Sequence, residues 1–333
     1  MSGKRIALDV MGGDDAPDSL LQGALDAVGA HGEQHVDAER ILLVGDENLI
    51  RERLEALGGN PGFGIQHASE VIGMDESPAQ ALRAKPDNSI MGCVRAIKTG
   101  DAGAMVAMGN TGAVVGASTL GLKTLEGVAR PGIAVTLGLT GRPLTLLDMG
   151  ANIAPKPEHL AQYAEMASIY MRDCMSVEQP RIGLLNVGEE KGKGTQVLKD
   201  AYDLIEAGGA DFVGNVEGSD LFTGACDVVV TDGFTGNVVL KLLEHFAGFM
   251  MGMMMKQLKD HGNPDWSHEA LGDIKRAIDY SSYGGALLLG VRGIVVIGHG
   301  RSDASAVANA IAVAGRAMDS EVLNHIEQGL AVR

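Results

Sequence analysis

Apolar residues recur along the chain in short blocks. Each of these runs ends in a loop of Gly, Asn and Asp. The runs cover 5–10 before Met11-Gly12-Gly13-Asp14, 41–44 before Gly45-Asp46, and 104–108 before Gly109-Asn110-Thr111-Gly112. They continue with 144–147 before Asp148-Met149-Gly150-Ala151-Asn152, 182–185 before Asn186-Val187-Gly188, 227–230 before Thr231-Asp232-Gly233-Phe234-Thr235-Gly236-Asn237, and 294–297 before Gly298-His299-Gly300. Runs of about 4–6 residues that are apolar on both faces predict strands buried in a parallel sheet. Helical periodicity over 157–171 and 196–207 lies between such runs. The βα alternation predicts an α/β fold with a doubly wound, mostly parallel sheet. Ligands of such sheets bind beyond the carboxyl ends of the strands, where these loops gather. The whole chain, 1–333, reads as a single two-lobed α/β domain, with a soft boundary between the lobes near 100–150.

Residues 238–280 break the pattern. Over 238–260, Lys241, Glu244, His245, Gly248, Gly252, Lys256 and Lys259 fall in one stripe roughly 120° wide, and the remaining arc is apolar and rich in Met. His261-Gly262-Asn263-Pro264-Asp265 then breaks the helix, and Ala270, Leu271, Ile274, Ala277 and Ile278 mark a second amphipathic helix. The expectation is a protruding helical hairpin whose Met-rich face is either dimer core or a contact surface for a membrane or partner.

Composition narrows the function. A formal net charge of −16 argues against nucleic acid as a partner. Cys93, Cys174 and Cys226 make neither a disulfide framework nor a zinc pattern, which fits a reducing compartment. Residues 1–5 carry no signal-peptide character, and no apolar run is expected to reach membrane-span length, so a cytoplasmic location is expected.

Several motifs fail on spacing. Gly188-Glu189-Glu190-Lys191-Gly192-Lys193-Gly194-Thr195 lacks the P-loop interval, and no strand is followed by G-x-G-x-x-G. No nucleotide cofactor is expected. The loops 109–112 and 233–237 are better candidates: glycines let successive N–H groups converge, a following helix adds its positive end, and Asn and Thr add neutral donors, which suits a phosphate. The same residues also make ordinary turns. His299-Gly300-Arg301-Ser302-Asp303 carries an H-x-x-x-D spacing that some acyltransferases use. Asp9, Asp14, Asp148 and Asp232 stand at strand ends as bases, cation-orienting groups or helix caps, and no metal site is assigned from them.

Taken together, Leu8-Asp9-Val10-Met11-Gly12-Gly13-Asp14-Asp15-Ala16-Pro17, Gly109-Asn110-Thr111-Gly112-Ala113, Asp148-Met149-Gly150-Ala151-Asn152, the segments 184–190 and 227–237, Tyr283-Gly284-Gly285-Ala286 and His299-Gly300-Arg301-Ser302-Asp303 resemble the PlsX family of acyl-carrier-protein:phosphate acyltransferases, in family order over nearly the whole chain. The resemblance implies a fold like isocitrate and isopropylmalate dehydrogenases and phosphotransacetylase. It implies a homodimer that transfers a fatty acyl group from acyl carrier protein to inorganic phosphate, with a product that feeds a membrane glycerol-3-phosphate acyltransferase at the inner face of the cell membrane. Two positions depart from the family pattern: Ile297 stands where a Lys precedes the His, and Arg301 where a Ser follows His-Gly. Chemistry assigns Gly12, Gly13, Asn110, Thr111, Gly112 and Asn237 to phosphate, with His299, Asn110 and Lys241 as the catalytic set and Asn152, Asn186 and Arg301 as further candidates on the loop edge. A dehydrogenase using Lys241 and Tyr283, or a non-catalytic scaffold recruiting lipid enzymes, are the alternatives.

Overall fold

A computed structural model of the protein describes residues 4–260, Gly272 and 283–331. The chain divides into two compact units, one formed by Met1–Pro131 with Tyr283–Arg333, the other by Gly132–Ser282.

In the first unit, β1 (Arg5–Asp9), β2 (Ile41–Gly45), β3 (Gly64–His67), β4 (Ala102–Ala107), β10 (Ala286–Leu289) and β11 (Ile294–Ile297) lie in the order β3-β2-β1-β4-β11-β10. All neighbours are parallel except β10 against β11. The strands are apolar on both faces because helices cover both. Ile6 of β1 meets Gly315 of helix α9 (Ala304–Asp319), which packs against α1 (Asp18–Gly29). On the opposite side of β1, Asp9 meets Ser89 and Cys93 of α4 (Ser89–Thr99), which packs against α5 (Thr111–Leu122).

In the second unit, β5 (Gly132–Leu137), β6 (Leu144–Leu147), β7 (Ile182–Leu185), β8 (Phe212–Val216) and β9 (Val228–Val230) lie in the order β5-β6-β9-β7-β8, again parallel except for β5 against β6. Helix α6 (Pro157–Met175) covers β6 and β9, and α7 (Gln196–Ala207) packs on α6.

The expected mixed, mostly parallel sheet is therefore present. All seven predicted runs are strands, each in parallel pairing. The four unpredicted strands differ physically. β3 pairs only with β2 and β8 only with β7, so neither is a continuous buried run. β5 and β10 run antiparallel to a neighbour, so the loops after them fall at the other edge, and these loops, 138–143 and 290–293, carry glycines but no Asn or Asp.

Helix α8 spans Gly233–Asp260, starting earlier than the expected 238 because Asp232 caps it: its carboxylate accepts from the Thr235 N–H at 2.8 Å and the Thr235 hydroxyl at 2.7 Å. Its 28 residues make it long and apolar enough, by length and composition, to cross a membrane, which corrects the expectation that no such segment exists. Within the helix only Gly233, Gly236 and Leu240 are buried. The second helix expected for the hairpin, around 270–278, lies outside the described residues.

Candidate functional site

In the first unit, the chain leaves β1 for β2 and β3 on one side, while β4 lies on the other. The crossovers part between β1 and β4, and the loops that follow these two strands close on each other there. A Cβ on Gly12 would stand 2.7 Å from the Cα of Gly109 and 3.0 Å from its nitrogen, so only glycine permits this approach of two backbones. The loop after β11 joins them. The Asp14 N–H donates to the Gly300 carbonyl at 2.8 Å, and a Cβ on Gly13, whose φ is +119°, would lie 3.3 Å from that same oxygen. Three of the predicted loops thus meet at one edge.

Helix α5 opens into this junction. Asn110 is its N-cap, with the side-chain oxygen accepting from the Ala113 N–H at 3.1 Å. Thr111 and Gly112 are exposed in the first turn, where N–H groups lack intrahelical partners and the helix dipole is positive. The side-chain amide of Asn110 is turned away from solvent and donates to the carbonyls of Gly73, Met74 and Glu76 at 3.2, 3.1 and 3.0 Å. To act as a direct phosphate ligand, the role expected of it, Asn110 would have to give up these bonds. Its polar atoms are committed, so it holds the junction in place.

Those bonds reveal a wall that the sequence reading missed. Residues 73–78 form a loop beside the junction: Met74 packs where a Gly300 side chain would go, and Pro78 where one on Gly112 would go. Lys85 fastens the loop by gripping both Glu76 carboxylate oxygens at 2.6 and 2.7 Å and the Val71 carbonyl at 2.7 Å. The hydrogen bond from Lys85 holds the Glu76 carboxyl below its ordinary value. The segment lacks the Gly/Asn/Thr signature. Its one cue is Ser77-Pro78 opening the short helix α3 (Pro78–Ala84).

His299 is half-buried at the end of β11, and its Nδ1 accepts from the Arg301 N–H at 3.1 Å. In the neutral ring the proton therefore sits on Nε2, which is left as a donor. Arg301 is exposed beside it, and Asp14 is exposed on the facing loop. Asp9 lies beneath the junction, fully buried. Its Oδ1 accepts from the Met11 N–H at 3.1 Å, while Oδ2, packed against Gly12 and Gly109, closes no hydrogen bond. Burial raises its carboxyl above the ordinary value, although Ser89 and the Met11 and Gly12 N–H groups oppose the shift.

The second unit carries the other candidates. Asp148 is a buried hub: Oδ1 accepts from the N–H groups of Ile133, Gly150 and Ala151 at 2.9–3.1 Å, and Oδ2 from the Asn152 N–H at 2.7 Å. Burial raises this carboxyl too, against those donors. Asn152 donates from its side chain to the Tyr163 hydroxyl at 2.7 Å. Asn186 staples the loop 187–194 by donating to the Lys193 carbonyl at 3.2 Å and to the Asn215 side chain at 3.1 Å. Asp148, Asn152, Asn186 and Asp232, all expected as candidates on the loop edge, hold these bonds within their loops. Asn237 is exposed on α8, against Gly150, and Lys241, one turn on, pairs with Glu244 at 3.1 Å. Both belong to the second unit, whereas Gly12, Gly13, Thr111, Gly112, His299 and Arg301 belong to the first. Burial pushes the Cys226 thiol up to about 12, which removes it as a nucleophile. Among the described residues no group of His, Cys, Asp and Glu could hold a metal ion.

A family model described as a fatty acid synthesis protein matches residues 4–325. The phosphate acyltransferase of Heliobacterium modesticaldum is 43% identical over 330 residues, covering 97% of this chain and 97% of that one. Among solved structures, a phosphotransacetylase from Streptococcus pyogenes superposes with a TM-score of 0.62 at 18% identity, covering 96% of this chain and 95% of that one. A 4-hydroxythreonine-4-phosphate dehydrogenase from Salmonella typhimurium gives a TM-score of 0.54 at 16% identity, covering 95% and 99%. These two likenesses bear out the expected fold.

Proposed function

The chain belongs to the fatty acid synthesis protein family, as an enzyme among its phosphate acyltransferases, and from that premise we propose that it moves a fatty acyl group from an acyl-carrier-protein thioester to inorganic phosphate. The observation that carries this reading is the closure of three glycine-rich loops on the exposed first turn of α5. Backbone N–H groups at Gly13, Thr111 and Gly112 suit an anion, which they bind without the desolvation cost of a buried cation, and Gly12, whose N–H turns to Asp9, lets the loops close around it. Arg301, exposed beside them, supplies positive charge where the family pattern has a Lys two residues before the His.

Phosphate is already a nucleophile, so the site needs no strong base. A phosphate oxygen attacks the thioester carbonyl carbon and an oxyanion forms. The carbon–sulfur bond then breaks as the carbonyl re-forms, and the carrier thiolate takes up a proton. His299, with the hydrogen on Nε2, donates a hydrogen bond to the oxyanion and then to the departing sulfur, while the proton that the thiolate takes up is the one carried in by the attacking hydrogen phosphate. Asn110 acts through position, fixing α5 and the 73–76 loop around the anion.

The apolar face of α8 fits a second copy of the chain along part of its length and the membrane interface along the rest. On this reading the protein is a homodimer in the cytoplasm, in peripheral contact with the inner face of the cell membrane, where a glycerol-3-phosphate acyltransferase takes the product. Phosphate titration tests the chemistry: acyl transfer should saturate with phosphate and be indifferent to added NAD or ATP. Turnover that requires either nucleotide, or that ignores phosphate, overturns the proposal.

A further inference from the structure

Three loops leave three gaps between them at the junction. Two of these gaps are closed by the loops themselves: Gly12 meets Gly109, and the Asp14 N–H bonds the Gly300 carbonyl at 2.8 Å. The third lies between the first turn of α5 and the turn 299–301 after β11, and the 73–78 loop spans it. A Cβ on Gly112 would stand 2.6 Å from Pro78 Cγ, and a Cβ on Gly300 would stand 2.7 Å from Met74 Cε.

This bridge is fastened along its length. Asn110 donates to the carbonyls of Gly73, Met74 and Glu76. Glu76 Oε2 accepts from the Gly73 N–H at 3.2 Å, and Lys85 grips both oxygens of the same carboxylate. Nearer the stem, Asp87 accepts from the Ser69 N–H and hydroxyl at 3.0 and 2.7 Å and from Arg95 at 2.8 Å, while Glu70 and Asn88 pair as a parallel bridge. Met74 is nevertheless 42% exposed. A large apolar side chain fixed at a polar junction without being buried contributes its bulk at that place, and little to the core.

Bulk there has a chemical consequence. Phosphate has four oxygens; one attacks the thioester carbonyl, which leaves three for the junction to hold. In a phosphate monoester one of those three carries carbon. With two gaps closed by backbone, that substituent has to pass through the third, where Met74 and Pro78 stand. Charge does not separate the two acceptors. Both present anionic oxygens to the same N–H groups, and Asp14, Asp75 and Arg301, exposed around the bridge, meet both alike. We infer that Met74 and Pro78 restrict the acyl acceptor to inorganic phosphate and reject phosphate monoesters by shape, an assignment that rests on the acyl transfer proposed above.

The test compares inorganic, methyl and ethyl phosphate as acceptors, with one acyl-carrier-protein thioester as donor. An accepted ester reacts as phosphate does. An oxygen of the hydrogen alkyl phosphate bonds to the carbonyl carbon, the carbon–sulfur bond breaks, and the thiolate takes the acceptor's proton, leaving an acyl alkyl phosphate. A site that rejects one added carbon group discriminates by roughly 10–200-fold. Wild-type protein should prefer phosphate to ethyl phosphate by about tenfold or more in kcat/KM, with methyl phosphate between them. Met74→Ala alters an exposed side chain, so it should keep wild-type melting behaviour and lose most of that preference, whereas Met74→Leu, of similar bulk, should retain it. Lys85→Met frees the bridge without changing either contact and should also relax the preference, and Lys85→Arg should restore it. Equal use of phosphate and ethyl phosphate by wild-type protein, or an unchanged preference in both Met74→Ala and Lys85→Met, overturns the assignment. Calorimetric binding of phosphate and ethyl phosphate in the absence of thioester gives a readout apart from turnover. If wild-type protein binds phosphate in preference and Met74→Ala binds both, yet neither transfers an acyl group, the functional reading fails and the shape filter stands. If wild-type protein transfers to phosphate and ester alike, the filter fails and the functional reading stands.

Discussion

Asn110 offers the sharpest test of how the phosphate junction is built. Replacing it with Ala removes the N-cap of α5, worth about 1 kcal/mol, and the donors to three loop carbonyls. A side-chain amide carries two hydrogens, so the loss there is about two hydrogen bonds at roughly 1 kcal/mol each. The sum is about 3 kcal/mol of stability. Asn110→Asp separates the two roles. The carboxylate still caps the helix, but its second oxygen faces the carbonyls of Gly73, Met74 and Glu76, where oxygen meets oxygen. Asp should therefore be at least as harmful as Ala to phosphate use, although it is the better cap. The assay pairs denaturant unfolding with the KM for phosphate. Both variants should raise that KM at least tenfold, with a smaller effect on the acyl donor. An Ala variant that loses less than about 0.5 kcal/mol and keeps the wild-type phosphate KM would show that the amide bonds to the 73–76 loop do not hold the site.

Three further outcomes follow from the same geometry. His299→Ala should lower kcat by about 10²-fold or more because the ring's hydrogen bond to the oxyanion is lost, and His299→Gln, which keeps a donor, should lose less; rates equal to wild type in both would remove His299 from the chemistry. Gly12→Ala places a methyl group 2.7 Å from the Cα of Gly109, so phosphate use should collapse with a stability loss of about 1–3 kcal/mol; an active, stable variant would mean the two loops part freely. Asp9 has a folded-state pKa above its unfolded value, so it binds its proton more tightly in the native protein. Its contribution to stability is present below the unfolded pKa and is lost as pH rises through the folded pKa. Asp9→Asn should thus gain stability relative to wild type as pH rises across that window, and parallel stability curves would show that the carboxyl is not held neutral.

The strand pattern was legible because parallel strands covered on both faces must be apolar throughout, as in β1, β4 and β9. The loops of the junction were legible because close approach and helix capping restrict residue choice to Gly, Asn and Thr, as at Gly12, Gly109 and Asn110. What an Asn or Asp at a strand end does with its polar atoms was not legible. Asn110, Asp148, Asn186 and Asp232 are the types that bind ligands and equally the types that tie loops, and only the positions of their partners decide. The 73–78 loop was hidden for a related reason: it contributes carbonyl oxygens, which every residue possesses. The start of α8 was misplaced by five residues because Asp232 was weighed as a loop-edge candidate ahead of its role as a cap.

The central claim is that phosphate becomes covalently joined to the acyl group on this protein without any other cofactor. The most direct measurement mixes purified protein with a fatty acyl-carrier-protein thioester and radiolabelled inorganic phosphate, and follows label into a hydroxylamine-sensitive acyl phosphate alongside release of free carrier thiol. The account predicts that label and thiol appear in equal amounts, and that both fall together in His299→Ala and Gly12→Ala. Thiol release without label in the acyl product would mean that water or another acceptor takes the acyl group, and would contradict the assignment of the loop junction to phosphate.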